Sequence, residues 1–164
     1  MNKTFAAIAL AAVSALALSS TRAVAAPPNA PQMQKIAYMI GKWDCKWTAG
    51  PSSGTLVATF TPVMNGAWLQ ETEAVESGGK ALVQTTHFTG YDPATKHWMH
   101  LGPNSDGTYE VAQSEDLSVW KTLLPAGASD GKLERPSDTE YIISEQFQQD
   151  GKTLTYANDC KKRG

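Results

Sequence analysis

The sequence predicts an all-β fold: an antiparallel up-and-down β-barrel of about nine or ten strands with a short N-terminal cap helix. Three observations carry this expectation. In Gly41-Lys42-Trp43-Asp44-Cys45-Lys46-Trp47, two tryptophans and a cysteine fall on every second residue with charged residues between them, the period of a strand with one apolar and one wet face. Similar short runs recur down the chain, separated by turn pairs such as Asn65-Gly66 and Asp150-Gly151. Only one segment, Gln32 to Ile40, resembles a helix. Short connections imply antiparallel neighbours, because parallel strands need long crossovers. A meander of this many twisted strands leaves open edges unless it closes. A β-sandwich is the alternative.

The elements follow in order. Gly54 to Met64 alternates Leu56, Ala58 and Phe60 with Val57, Thr59 and Thr61, and Asn65-Gly66 is a strong hairpin signal. Ala67 to Val75 returns, with Trp68 near its start and Glu71 and Glu73 on one face. After Ser77-Gly78-Gly79-Lys80, the β-branched and aromatic stretch Ala81 to Tyr91 predicts a strand. Asp92 to Lys96 predicts a turn in which the Asp carboxylate accepts from backbone N–H two residues on and Pro93 presets φ. His97 to Gly102, Tyr109 to Ser114 and Val119 to Leu124 predict three further strands. Pro125 to Pro136, polar and rich in Gly and Pro, predicts the longest loop. Thr139 to Gln148 and Thr153 to Cys160 close the set.

The N-terminus carries a different pattern. Lys3 precedes an uncharged apolar run from Phe5 to Leu18, and Ala23-Val24-Ala25 places small residues as signal peptidase requires. Residues 1–25 therefore read as a cleaved signal peptide, and residues 26–31 as a disordered lead-in. The run is shorter than the roughly 20 apolar residues of a membrane span, so no span is expected after cleavage. Residues 32–162 then form a single β-barrel domain, exported to a periplasmic or extracellular setting. In that oxidising setting Cys45 and Cys160, in the first and last strands, read as one disulfide. Two buried free thiols are the alternative.

Composition removes other classes. The 164 residues carry a net charge of -2 without a clustered basic face, so no nucleic-acid partner is expected. No Gly-x-Ser-x-Gly elbow and no Gly-x-x-x-x-Gly-Lys phosphate loop occur. No residue pattern sets the oligomeric state.

Several segments carry a resemblance. Ile40-Gly41-Lys42-Trp43 resembles the Gly-x-Trp opening of lipocalin-like (calycin-type) barrels. Together with Asn65-Gly66-Ala67-Trp68-Leu69, Gly90-Tyr91-Asp92-Pro93-Ala94-Thr95-Lys96-His97-Trp98 and Ser105-Asp106-Gly107, it resembles a bacterial family of secreted lipocalin-like proteins catalogued as domain of unknown function 1579. The resemblance implies a calycin-type barrel and ligand carriage in a cell envelope, with no established activity. Haem-binding barrels of similar build use a histidine ligand, but their signature has no clear counterpart here, and no cofactor is expected.

The candidate ligand is a small hydrophobic or amphipathic molecule inside the barrel. Trp68, Phe88, Trp98, His100 and Tyr109 are the candidate binding residues: aromatic rings to line a pocket, one imidazole and one phenol as polar handles. His97 and His100 are three apart and point to opposite faces of one strand. Pairing Tyr91 with His97 across the turn sets Phe88 opposite His100 and His87 opposite Leu101. That register puts His87 and His100 on opposite faces too, so no metal site is expected. Glu71 and Glu73 are expected on a wet outer face; acid and base roles divided between them are the alternative. Trp43 is expected as a plug against the cap helix. The rival readings are a small barrel enzyme, an isomerase or hydrolase, and a fully packed structural or interaction barrel without a ligand.

Overall fold

The computed structural model describes residues 26–164, apart from the side chain of Gln149; the expected signal peptide lies outside the described residues. A short helix, α1 (Ala30–Met33), continues as a 3₁₀ turn (Gln34–Met39). Ten strands follow: β1 (Gly41–Ala49), β2 (Ser52–Val63), β3 (Trp68–Ser77), β4 (Lys80–Asp92), β5 (His97–Pro103), β6 (Tyr109–Ser114), β7 (Val119–Leu124), β8 (Gly131–Ser137), β9 (Glu140–Gln149) and β10 (Lys152–Lys162). Each pairs antiparallel with the next, and β1 pairs with β10, so the sheet closes into a barrel in sequence order. Closure leaves no open edge.

Two boundaries differ from the sequence expectation. The stretch expected as one long loop contains β8, whose inward residues are Gly131 and Leu133. With Leu133 as its only large apolar residue, β8 lacks the alternation that reveals a strand. The cap helix also begins before Gln32, at Ala30. Asn29 is buried, and its side-chain amide donates to Ala67 O at 2.8 Å and Tyr91 O at 3.1 Å. Those bonds tie the start of α1 across the barrel end, and Pro31 suits the first helical turn.

Period-two alternation in β1 translates directly into burial. Trp43, Cys45 and Trp47 point inward, and Lys42, Asp44 and Lys46 point to solvent. Trp43 is fully buried beneath the cap, and its indole N–H donates to Met39 O at 2.7 Å. Cys45 and Cys160 sit directly opposite in the β1–β10 ladder and form a disulfide. Around them pack Ile36, Leu56, Ala58, Phe60 and Tyr141; Trp43 meets Tyr141 edge to face at 4.7 Å between centroids. At the rim, Lys162 Nζ donates to Tyr38 O at 2.7 Å, and Arg163 pairs with Asp44.

The turns obey local chemistry. Asn65 and Gly66 both take positive φ, at 59° and 81°, as a tight hairpin demands. Asp92 Oδ1 accepts from Ala94 N–H at 2.9 Å, Asp92 Oδ2 from Thr95 Oγ1 at 2.7 Å, and Asp92 O from Lys96 N–H at 2.8 Å. These bonds make Asp92 the last ladder residue of β4, paired with His97. The expected Tyr91–His97 pairing is therefore off by one residue. Thr89 faces His100, Phe88 faces Leu101, and His87 comes level with Gly102, two residues from His100 on the same face.

Candidate functional site

That one-residue difference builds the site. Along β4, Thr85, His87, Thr89 and Tyr91 face inward while Thr86, Phe88 and Gly90 face out. On β5 the inward residues are Trp98, His100 and Gly102. Glu71 on β3 stands directly opposite His87. The order Glu71, His87, His100 thus crosses three neighbouring strands on the interior wall. The two imidazoles meet edge to face at 4.7 Å between centroids, and one ligand atom from each of the three residues lies within 4.8 Å of the others. The expectation that His87 and His100 occupy opposite faces is corrected. His97 does point outward, with Nε2 4.0 Å from Glu115 Oε1.

Glu71 and Glu73 face inward, not outward as expected. The phase is set by Phe60 and Ala58, their partners in β2, which are core residues. Burial raises the pKa of both carboxyls; Glu73 pushes Glu71 up further, while the bond from Glu71 and one from Thr85 Oγ1, at 3.2 Å, pull Glu73 back. Glu71 is thus the member of the pair that holds the proton more tightly. Glu110 and Glu145 also face in, with carboxyls pushed up mainly by burial. Among the described residues, no Lys or Arg forms an ion pair with any of these four glutamates.

The histidines respond in the opposite direction, as desolvation requires. Burial lowers the His87 pKa, against a smaller push upward from Asn104. His100 is lowered to about 3, by burial first and by His87 second. Its Nδ1 lies 2.9 Å from Thr89 Oγ1. His87 is only 7% exposed, and its Nε2 has no hydrogen-bond partner.

These groups line a cavity of about 180 Å³ within the barrel. Its other wall is apolar: Ile36 and Met39 from the cap, Phe60, Trp120, Leu133 and Ile143. Burial raises the pKa of Tyr156, which with Asn158 adds polar atoms to the lining. The cavity lies against the most weakly paired seam, where β7 and β8 share only the pairs Val119–Lys132 and Trp120–Gly131.

Of the five candidate binding residues, His100 lines this cavity. Trp98 is inward and buried but packs against Tyr91 at 5.5 Å. Trp68 covers Gly90 on the outer surface, Phe88 shares that outer face, and Tyr109 is 57% exposed. Sequence reasoning missed Glu110, Trp120, Ile143, Glu145 and Tyr156 as cavity residues. Their signal was present: each falls in phase with an inward neighbour of its own strand, but the phase becomes readable only once the ladders are known.

Neither protein-family models nor curated proteins yield a match to the chain.

Proposed function

We propose that the mature chain is an exported binding protein that holds one small amphipathic molecule inside the barrel, with its basic or hydrogen-bond-donating end against the interior glutamates. The observation that carries this is the two-sided cavity. A wall of Phe60, Trp120, Leu133 and Ile143 faces Glu71, Glu73, Glu110 and Glu145, which have no cation partner among the described residues. Such a pairing of apolar wall and convergent polar groups is what a small-molecule site requires. The size narrows the ligand class. An engineered cavity of about 150 Å³ takes a single benzene, so 180 Å³ suits one ring or a short chain, not a macrocycle or a long lipid. A fully packed barrel loses support from the same cavity. The Cys45–Cys160 bridge supports the export reading, and the likeness to secreted lipocalin-like proteins belongs to this proposal as well.

Native mass spectrometry on the exported, disulfide-bonded protein tests it, before and after denaturation. The expected result is a non-covalent organic mass lost on unfolding, or tight binding of a small amine from a panel that neutral isosteres do not match. A bare mass together with no binding across the panel would overturn it. A second reading, the small barrel enzyme, has one observation in its favour: Glu71, Glu73, His87 and His100 converge with pKa values pushed apart from their ordinary range. Turnover of a panel ligand, lost in Glu73→Gln, would favour it over carriage.

A further inference from the structure

The geometry points to Glu71, His87 and His100 as a mononuclear site for a divalent first-row transition ion, with open coordination positions facing the cavity. This goes beyond the organic-ligand proposal and does not depend on it.

Four observations converge. The donor set is two imidazoles and one carboxylate, brought together from three adjacent strands. Three protein ligands of this kind with an open position form a familiar zinc or non-haem iron arrangement. His87 Nε2 is buried without a partner, an expensive state for a polar atom and one that a metal bond would relieve. His100 is already oriented: Thr89 Oγ1 holds Nδ1 at 2.9 Å, which leaves Nε2 as the ligating atom once Nδ1 carries the proton. Glu71 is 6% exposed and has no cation partner among the described residues. Its neighbour Glu73, itself held by Thr85, is placed to orient the ligating carboxylate.

The ligand set also selects the ion. Two imidazoles exclude a calcium or magnesium site, which would be built from oxygens. Both cysteines are consumed by the disulfide, so a thiolate site is excluded as well. A tetrahedral ion with ligands at about 2.0–2.1 Å needs its donor atoms about 3.4 Å apart. Starting from separations within 4.8 Å, ion binding requires the donor atoms to close in by at most about 1.4 Å. Gly102 contributes by omission. A Cβ there would lie 2.7 Å from both the His87 Cα and its ring Cδ2, so only glycine lets the His87 ring lie in its observed place.

The test uses untagged, disulfide-bonded protein stripped with chelator. Zn²⁺ titration by calorimetry is expected to give one site per chain, and Co²⁺ to give visible d–d absorption displaced by Zn²⁺. His87→Gln, His100→Gln and Glu71→Gln are each expected to weaken Zn²⁺ binding at least tenfold, whereas His97→Gln leaves it unchanged. Circular dichroism and the thermal transition of each metal-free variant confirm folding. If a histidine variant does not fold, Glu71→Gln, which keeps shape and volume, carries the test. Absence of stoichiometric Zn²⁺ binding, or binding that survives Glu71→Gln and His87→Gln, would overturn the assignment. Failure of the amine panel leaves this result untouched.

Discussion

Two halves of one barrel interior obey opposite rules. Across β10, β1 and β2, most inward positions are apolar, with Cys160, Trp43, Cys45, Leu56, Ala58 and Phe60 in the core, while Tyr156 and Asn158 of β10 reach the cavity; the outward positions are mostly polar. Across β4, β5 and β6 the pattern largely inverts: beside the buried Trp98 and Ala112, His87, Thr89, His100 and Glu110 face in, while Phe88, Met99, Leu101 and Val111 face out and are half-buried. The first half holds the dry core, stapled by a disulfide and plugged by Trp43. The second gives up packing to place titratable groups around a cavity. A strand that turns its polar residues inward loses burial energy, so such an inversion marks the part of a barrel where stability has been traded for chemistry.

The largest effects are expected from the dry core. Removing the disulfide with Cys45→Ser plus Cys160→Ser opens a loop spanning 115 residues. Chain entropy then predicts a loss of about 4–5 kcal/mol, read as a fall in urea midpoint with a steeper slope, because the released unfolded chain exposes more surface. A loss under about 1 kcal/mol would remove the distinction between the halves. Trp43→Ala deletes a fully buried indole and its bond to Met39 O, and should cost about 3–5 kcal/mol in the same assay.

On the polar side, Gly102→Ala forces a methyl to within 2.1 Å of Thr86 O. The expected cost is about 1–3 kcal/mol by chemical denaturation, with Zn²⁺ binding reduced more than His97→Gln reduces it. Unchanged stability would mean that the β4–β5 wall is loose enough to yield. The smallest effect is expected at Glu145, whose carboxyl is raised by burial. A raised acid is protonated in both states below the unfolded pKa, and the folded state keeps the proton longer as pH rises. Stability therefore falls as pH climbs from the unfolded carboxylate value through the higher folded one. Glu145→Gln should abolish that component, giving a melting temperature higher than the parent at pH 8 and close to it at pH 4. A parent that is equally or more stable at pH 8 would show that Glu145 is adequately solvated.

The legibility of the sequence follows the same line. In β1, Trp43, Cys45 and Trp47 alternate with three charges, so strand and face could be read locally, and Trp43 is the plug expected of it; the disulfide depended on the first and last strands meeting. The Asp92 turn was likewise readable, since Asp92 does accept from Ala94 N–H as its side-chain chemistry requires. β8 was not, because one leucine among polar residues has no period. Glu71 and Glu73 were assigned outward because isolated carboxylates prefer water; their partners Phe60 and Ala58 decide otherwise.

By itself, the sequence determined the fold class, the up-and-down order and the polarity of the first strands, because alternation and turn chemistry act over a few residues. The tertiary structure alone decided which face of β3 to β6 is the inside and which histidines meet. Side-chain direction has a period of two, so one residue of register at the Asp92 turn carries His87 from the opposite face to the side of His100. That register is settled by Asp92 holding Lys96 and by the closure of ten strands into one ring, a constraint that no local stretch of the chain contains.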